Sequence, residues 1–306
     1  MDIRTLLQLQ LSMYLIVAAG MFLSRINFIS QENERFLSNL LIQFILPCNI
    51  IKSFLIEFNG ELLRQFAAVL GIACLAAAVQ MVLGWAAFRR FETGLRKVMQ
   101  YGMINANSAF IALPIIEGMF GAAGLAQAAV YMIPVRVSIW TVGLSIFSAQ
   151  EARGSTLIKK CVLHPCMVGL YIGMFLMLTQ IPLPGFLRDA LGFSSNCMTA
   201  LSMLLIGAIL SRVPLRSGLK PPVFYFCLIR LIVLPAIIFA ACTLLRVDSL
   251  IRGVCVVMTA MPAASLTAVL AKQYHADAQA AGYVVIVSTV LNTLTLPLWA
   301  LMLSAF

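Results

Sequence analysis

An all-α membrane protein of ten transmembrane helices, arranged as two inverted five-helix repeats, is the fold that the sequence predicts. Three observations point there: a composition with too little charge for a water-facing coat, ten apolar segments of roughly bilayer length, and a basic loop that divides them five and five. Of 306 residues, 62% are hydrophobic and 10% charged, and the mean hydropathy is +0.99. Soluble domains carry about a quarter of their residues as charges. Lipid is the solvent that suits this chain.

Taken in order, the first apolar segment is 6–23. Its n-region, Met1-Asp2-Ile3-Arg4, has no net side-chain charge and no A-x-A site follows, so the segment reads as the first membrane helix and not as a signal peptide. Segments 36–54, 66–88, 98–120 and 126–148 complete the first half. After the basic loop come 158–178, 197–210, 223–245, 253–274 and 278–303. The seventh is short for a crossing and must borrow 192–196 or bend. Unpaired backbone groups are not tolerated in hydrocarbon, so segments this apolar have to be helical.

The basic residues orient the spans. Thirteen Lys and Arg lie in one alternate set of loops and adjoining span ends, six in the other, and Arg136 and Arg230 inside spans complete the 21. The positive-inside rule places both termini outside the cytoplasm. Because five is odd, the halves 1–150 and 161–306, joined by a cytoplasmic loop 151–160, enter the membrane from opposite sides. That is the topology of an inverted repeat, a frequent plan among secondary transporters. Aligning 108–141 with 262–295 matches only five positions, mostly Ala, so the repeat rests on topology.

Composition also excludes functions. A net charge of +10 suggests nucleic acid in a soluble protein, but here the basic residues sit between apolar runs without interleaved aromatics, so no nucleic-acid partner is expected. The eight cysteines lie singly with no C-x-x-C pair and read as small apolar packing residues. His164 and His275 have no second His at ligand spacing, so neither a metal site nor a cofactor is expected. Neither a Gly-rich phosphate loop nor a G-x-S-x-G or H-E-x-x-H motif is present, which argues against an enzyme and against direct ATP drive.

The chemistry concentrates in the fourth and ninth segments, which hold equivalent places in the two halves. The fourth carries Asn105, Asn107, Ser108 and Pro114; the ninth carries Pro262, Ser265 and Thr267. Proline removes a helix hydrogen bond and clashes with an earlier carbonyl, and small polar neighbours can satisfy the freed groups. Interrupted helices in matching positions of two repeats are the best sequence pointer to a transporter's substrate site, the alternative being a pair of simple proline kinks.

The blocks 105–121 and 260–297, with Phe44-Ile45-Leu46-Pro47 in the second segment and Leu205-Ile206-Gly207 in the seventh, resemble the auxin efflux carrier family. That family includes plant hormone carriers and bacterial permeases for small carboxylates. The resemblance implies two inverted five-helix repeats whose fourth and ninth helices are broken and cross at their proline-containing midpoints, where substrate binds. Pro114 and Pro262 would then mark the crossover, with Asn105, Asn107 and Ser108 on one side and Ser265 and Thr267 on the other. It further implies an elevator-like slide of spans three to five and eight to ten against one, two, six and seven, and a homodimer. Plant carriers have a long central loop and a third span bearing charged residues; this chain has only 150–160, and 66–88 offers only Gln80.

Three ionisable residues lie within spans: Glu117, Arg136 and Arg230. Charges at membrane depth require a cavity or a partner, so each is a candidate for charge recognition or coupling. For Glu117 the plainer reading is an interfacial carboxylate, and for the two arginines an Arg–carboxylate pair between helices. The expectation is a carrier in the bacterial inner membrane that moves a small organic anion by alternating access, either coupled to an ion such as H+ or Na+ or as a uniporter. Helix termini at the crossover would present partial positive charge to a carboxylate. Set against it are a membrane ligand sensor or anchor protein that does not transport, for which the loops leave no room for an output domain, and a lipid-modifying enzyme, for which no acid/base cluster is visible.

Overall fold

The computed structural model of the protein describes residues 3–147, 162–211, 220–264 and 266–305. Among these the chain consists of helices and short connections, with an isolated antiparallel bridge between Ala106 and Ala263 in place of any strand. In order the helices are α1 (Ile3–Arg25), α2 (Gln31–Ser53), α3 (Gly60–Phe88), α4 (Thr93–Ile104), α5 (Ser108–Phe147) and α6 (Pro165–Thr179). They continue with α7 (Gly185–Ser211), α8 (Pro221–Leu244), α9 (Ser249–Thr259), α10 (Leu266–Gln273) and α11 (Ala278–Ala305). Six of them, α2, α3, α5, α7, α8 and α11, are long and apolar enough to cross a membrane. Large apolar side chains such as Phe36, Phe186, Phe193 and Leu244 stand exposed along these helices, as suits contact with acyl chains.

Helix ends depart from the hydropathy pattern where polar residues begin a helix. The second starts at Gln31 and not at 36, because the Asn33 N–H donates to Ser30 Oγ at 3.2 Å, while Glu32 and Glu34 lie at the positive end of the helix dipole. The seventh starts at Gly185 and so is a full-length helix; its first turns carry exposed Arg188 and Asp189, which hide it from an apolar scan. The loop 151–160 lies outside the described residues. Helix α5 has 40 residues, which at 1.5 Å each would span about 60 Å, about twice the hydrocarbon thickness. Gly121, at φ 64° and ψ −158°, is not helical and divides it in two. Only glycine adopts that backbone without strain.

Three short π-helical turns, Leu41–Ile45, Ser108–Ala112 and Ile229–Val233, each directly precede a Leu-Pro pair: Leu46-Pro47, Leu113-Pro114 and Leu234-Pro235. The physical reason is common to all three. Proline cannot donate to the carbonyl four residues back and its ring crowds that carbonyl, and a wider turn relieves the clash without ending the helix.

The chain forms two compact units. The first contains Met1–Ala67, Ala109–Val130 and Val162–Arg212, and therefore α1, α2, α6, α7 and the leading part of α5. Inside it α1 and α7 meet backbone to backbone. A Cβ on Gly20 would overlap Leu204 O, and one on Gly207 would overlap Val17 O, the small-residue contact by which membrane helices approach closely. Polar pairs within this unit include Asn49 Nδ2 donating to Glu117 Oε2 at 3.0 Å and Gln127 Nε2 donating to Gln65 Oε1 at 3.2 Å.

The second unit contains Ala68–Ser108, Tyr131–Cys161 and Val213–Phe306. It holds most of α3, then α4, the trailing part of α5, and α8 to α11. One contact explains how α8 keeps its course through Pro235. The Leu231 carbonyl, which a non-proline residue 235 would have bonded, accepts instead from Trp299 Nε1 of α11 at 2.8 Å.

Candidate functional site

Within the second unit, α4 stops at Ile104 and α9 at Thr259, and the extended residues that follow pair with each other. The Asn107 N–H donates to Pro262 O at 2.8 Å, and the Ala264 N–H donates to Asn105 O at 2.9 Å. These two bonds flank the Ala106–Ala263 bridge and make a minimal antiparallel crossing of two interrupted helices. Neither segment could remain extended alone in an apolar interior, because each would strand its backbone donors and acceptors.

Side chains from neighbouring helices take further groups at the two helix ends. Arg230 of α8 reaches both ends: its Nε–H donates to Met261 O at 2.9 Å and its Nη1–H to Met103 O at 2.7 Å. Asn292 of α11 donates from Nδ2 to Ala260 O at 2.9 Å, and the Ala263 N–H donates to Ser288 Oγ at 3.3 Å. Residues 260, 261 and 262 thus give their carbonyls to an amide, a guanidinium and a main-chain N–H from three different elements. The C-termini of α4 and α9 carry partial negative charge, and the Arg230 cation sits where it offsets both. Arg230 is completely buried, and its partners among the described residues are these carbonyls and not a carboxylate. The expected Arg–carboxylate pair is therefore replaced by a clamp on two helix ends.

Among the polar atoms of this unit buried without a hydrogen-bond partner among the described residues are Asn105 Nδ2, Ser108 Oγ, Thr267 Oγ1 and Arg230 Nη2, in or beside the crossing; Tyr101 Oη, Tyr131 Oη and Thr295 Oγ1 are others. Buried polar groups nearly always find partners, so a cluster of orphans calls for a ligand or water. Of the residues singled out from sequence, Asn105, Ser108, Pro262 and Thr267 are buried in or beside the crossing, and Asn107 is half-buried. Ser265 lies outside the described residues.

Pro114 is not where α4 breaks. The interruption falls at Asn105–Asn107, and Pro114 stands about two helical turns further on, inside a helical stretch that the preceding π turn keeps continuous. Glu117 belongs to the first unit, half-buried against Asn49. Arg136 is half-buried on the trailing part of α5 in the second unit. Sequence reasoning passed over Asn292 and Ser288. Their signal was there: an amide and a hydroxyl inside the tenth apolar segment, 3% and 0% exposed in the folded chain.

Long apolar helices with exposed flanks, and a polar crossing of two interrupted helices, define an integral membrane protein of the transporter class. A family model described as Membrane transport protein matches residues 6–157 and 154–300. The chain belongs to the auxin efflux carrier family. It is 25% identical over 296 residues to an uncharacterized transporter of Methanothermobacter thermautotrophicus, covering 96% of this chain and 97% of that one. It is 23% identical over 293 residues to an uncharacterized transporter of Methanocaldococcus jannaschii, covering 93% and 94%.

Proposed function

We propose that the protein is a secondary transporter that moves a small organic anion, a carboxylate, across the membrane by alternating access. The observation that carries this reading is the crossing itself: two interrupted helices, a buried arginine, and buried donors at Asn105 and Arg230 that no group among the described residues satisfies. A carboxylate supplies the acceptors those donors lack. Asn105, Asn107, Ser108, Pro262, Ser265 and Thr267 are proposed to line the site, with Pro114 on the same span beyond them.

The proposed topology has ten spans in two inverted repeats, 1–150 and 161–306, linked by 151–160, with both termini outside the cytoplasm of a bacterial inner membrane. In that scheme α4 with α5 up to Gly121 makes the fourth span, the rest of α5 the fifth, and α9 with α10 the ninth. Membership of the compact units favours an elevator-like motion: one unit collects spans one, two, six and seven, the other most of three to five and all of eight to ten. Residues Ala109–Val130 are the exception, grouping with the first. A homodimer, and coupling to H+ or Na+, complete the proposal. Proteoliposomes holding the purified chain should take up radiolabelled carboxylates above empty-liposome controls, with imposed H+ and Na+ gradients identifying the coupling ion. Absence of uptake for every carboxylate, in either direction, would sink the reading.

A further inference from the structure

Arg230 offers three nitrogens, and the crossing uses two. Nη2 carries two N–H groups, is buried, and meets no acceptor among the described residues. A buried cation left without full compensation is costly, and two helix C-termini supply only partial negative charge. Asn105, two residues along from the Met103 carbonyl that Nη1 holds, likewise has an amide nitrogen buried without an acceptor. Both orphan groups can only donate. What they lack is an acceptor, and what Arg230 lacks is a negative charge.

We propose that Arg230 is the anion-selecting residue of the crossing: its Nη2 group takes a carboxylate oxygen of the substrate, with Asn105 Nδ2 as second donor. This rests on the anion-carrier reading and deepens it. The same guanidinium holds Met103 O and Met261 O. Substrate charge is thereby tied to the group that fixes both helix ends, and a neutral molecule of the same shape leaves the cation uncompensated.

The test uses the full-length chain in lipid nanodiscs with glycolate, lactate, malonate and succinate, each beside its neutral amide. Binding is read by isothermal titration and by the shift in melting temperature. The wild type should prefer at least one carboxylate over its amide by about 10- to 100-fold, the range expected for a hydrogen bond to a charged group. Arg230→Gln should lose most of that preference while its amide affinity stays within about threefold, a split that purely structural damage does not produce. An Arg230→Gln protein that keeps the wild-type preference overturns the role of Arg230 and leaves the anion carrier standing. A wild type that binds none of the carboxylates overturns both. Should the variant not assemble, wild-type protein labelled with ¹⁵N-arginine carries the test. A buried guanidinium resonance must then move on adding the preferred carboxylate and not on adding its amide, and an unmoved spectrum overturns the proposal.

Discussion

Two places in the second unit solve the same problem differently. In α8, Pro235 removes a main-chain donor, yet the helix runs on: a π turn widens before it and the indole of Trp299 takes the Leu231 carbonyl. At the crossing, α4 gives way at Asn105-Ala106-Asn107, a stretch without proline, and the freed groups are taken by a second interrupted helix and an arginine, while an asparagine takes a carbonyl of that second helix. A helix in an apolar setting therefore breaks where outside partners can take over its hydrogen bonds, and not merely where a donor is missing. One indole repairs a kink; several elements together hold a crossing open.

This contrast yields a graded set of outcomes. Arg230→Leu strands two buried carbonyls at once and should lower stability by about 2–5 kcal/mol, seen as a drop in folded yield and melting temperature on fluorescence-detected size exclusion. An unchanged melting curve would mean that main-chain pairing suffices to hold the crossing. Next in size come Asn292→Leu and Trp299→Phe, each removing one donor from one carbonyl for about 1–3 kcal/mol. They should differ in a second readout. Asn292→Leu should also weaken carboxylate binding, because Ala260 belongs to the crossing, whereas Trp299→Phe should leave it at the wild-type level. Equal binding in the two variants would erase the distinction between repaired kink and site.

Asn107→Ala keeps the backbone N–H that bonds Pro262, so its stability should stay within about 0.5 kcal/mol of the wild type. Its carboxylate affinity should fall roughly tenfold. A normal affinity would remove the Asn107 side chain from the site. The smallest effect is expected from Pro114→Ala, under about 1 kcal/mol in thermal denaturation, because the neighbouring π turn already accommodates that position. Collapse of the protein on this change would return Pro114 to the role of helix breaker.

Much of this was legible beforehand, and what was not has a physical explanation. The apolar runs, the matching interruptions in the fourth and ninth segments, and Pro262 at one of them follow from local composition. The other break was assigned to Pro114 because proline is the residue that disrupts a helix by itself. Asn105-Ala106-Asn107 is extended only because Pro262-Ala263-Ala264 lies alongside, and no local pattern encodes a partner so distant in sequence. Arg230 stood out as a charge in an apolar run, but its partners are main-chain carbonyls, which every residue possesses and which therefore leave no mark in the sequence. Asn292 was overlooked for a related reason: a lone amide among aliphatic residues gives no hint of which carbonyl it serves.

The backbone contact of α1 with α7 bears on how the protein is made. Gly20 and Gly207 lie at nearly opposite ends of the first unit's sequence, and each needs the other helix's main chain against it. A ribosome adding about 5–20 residues per second takes on the order of 10–40 s to cover that interval. On the proposed ten-span topology, the first helix stands in the bilayer throughout that interval with its glycine face turned to lipid or to another nascent helix. Biogenesis of the first unit thus depends on a late-arriving strut. A chain truncated before Gly207 should leave its N-terminal helix open to quality-control proteolysis, however sound its own sequence.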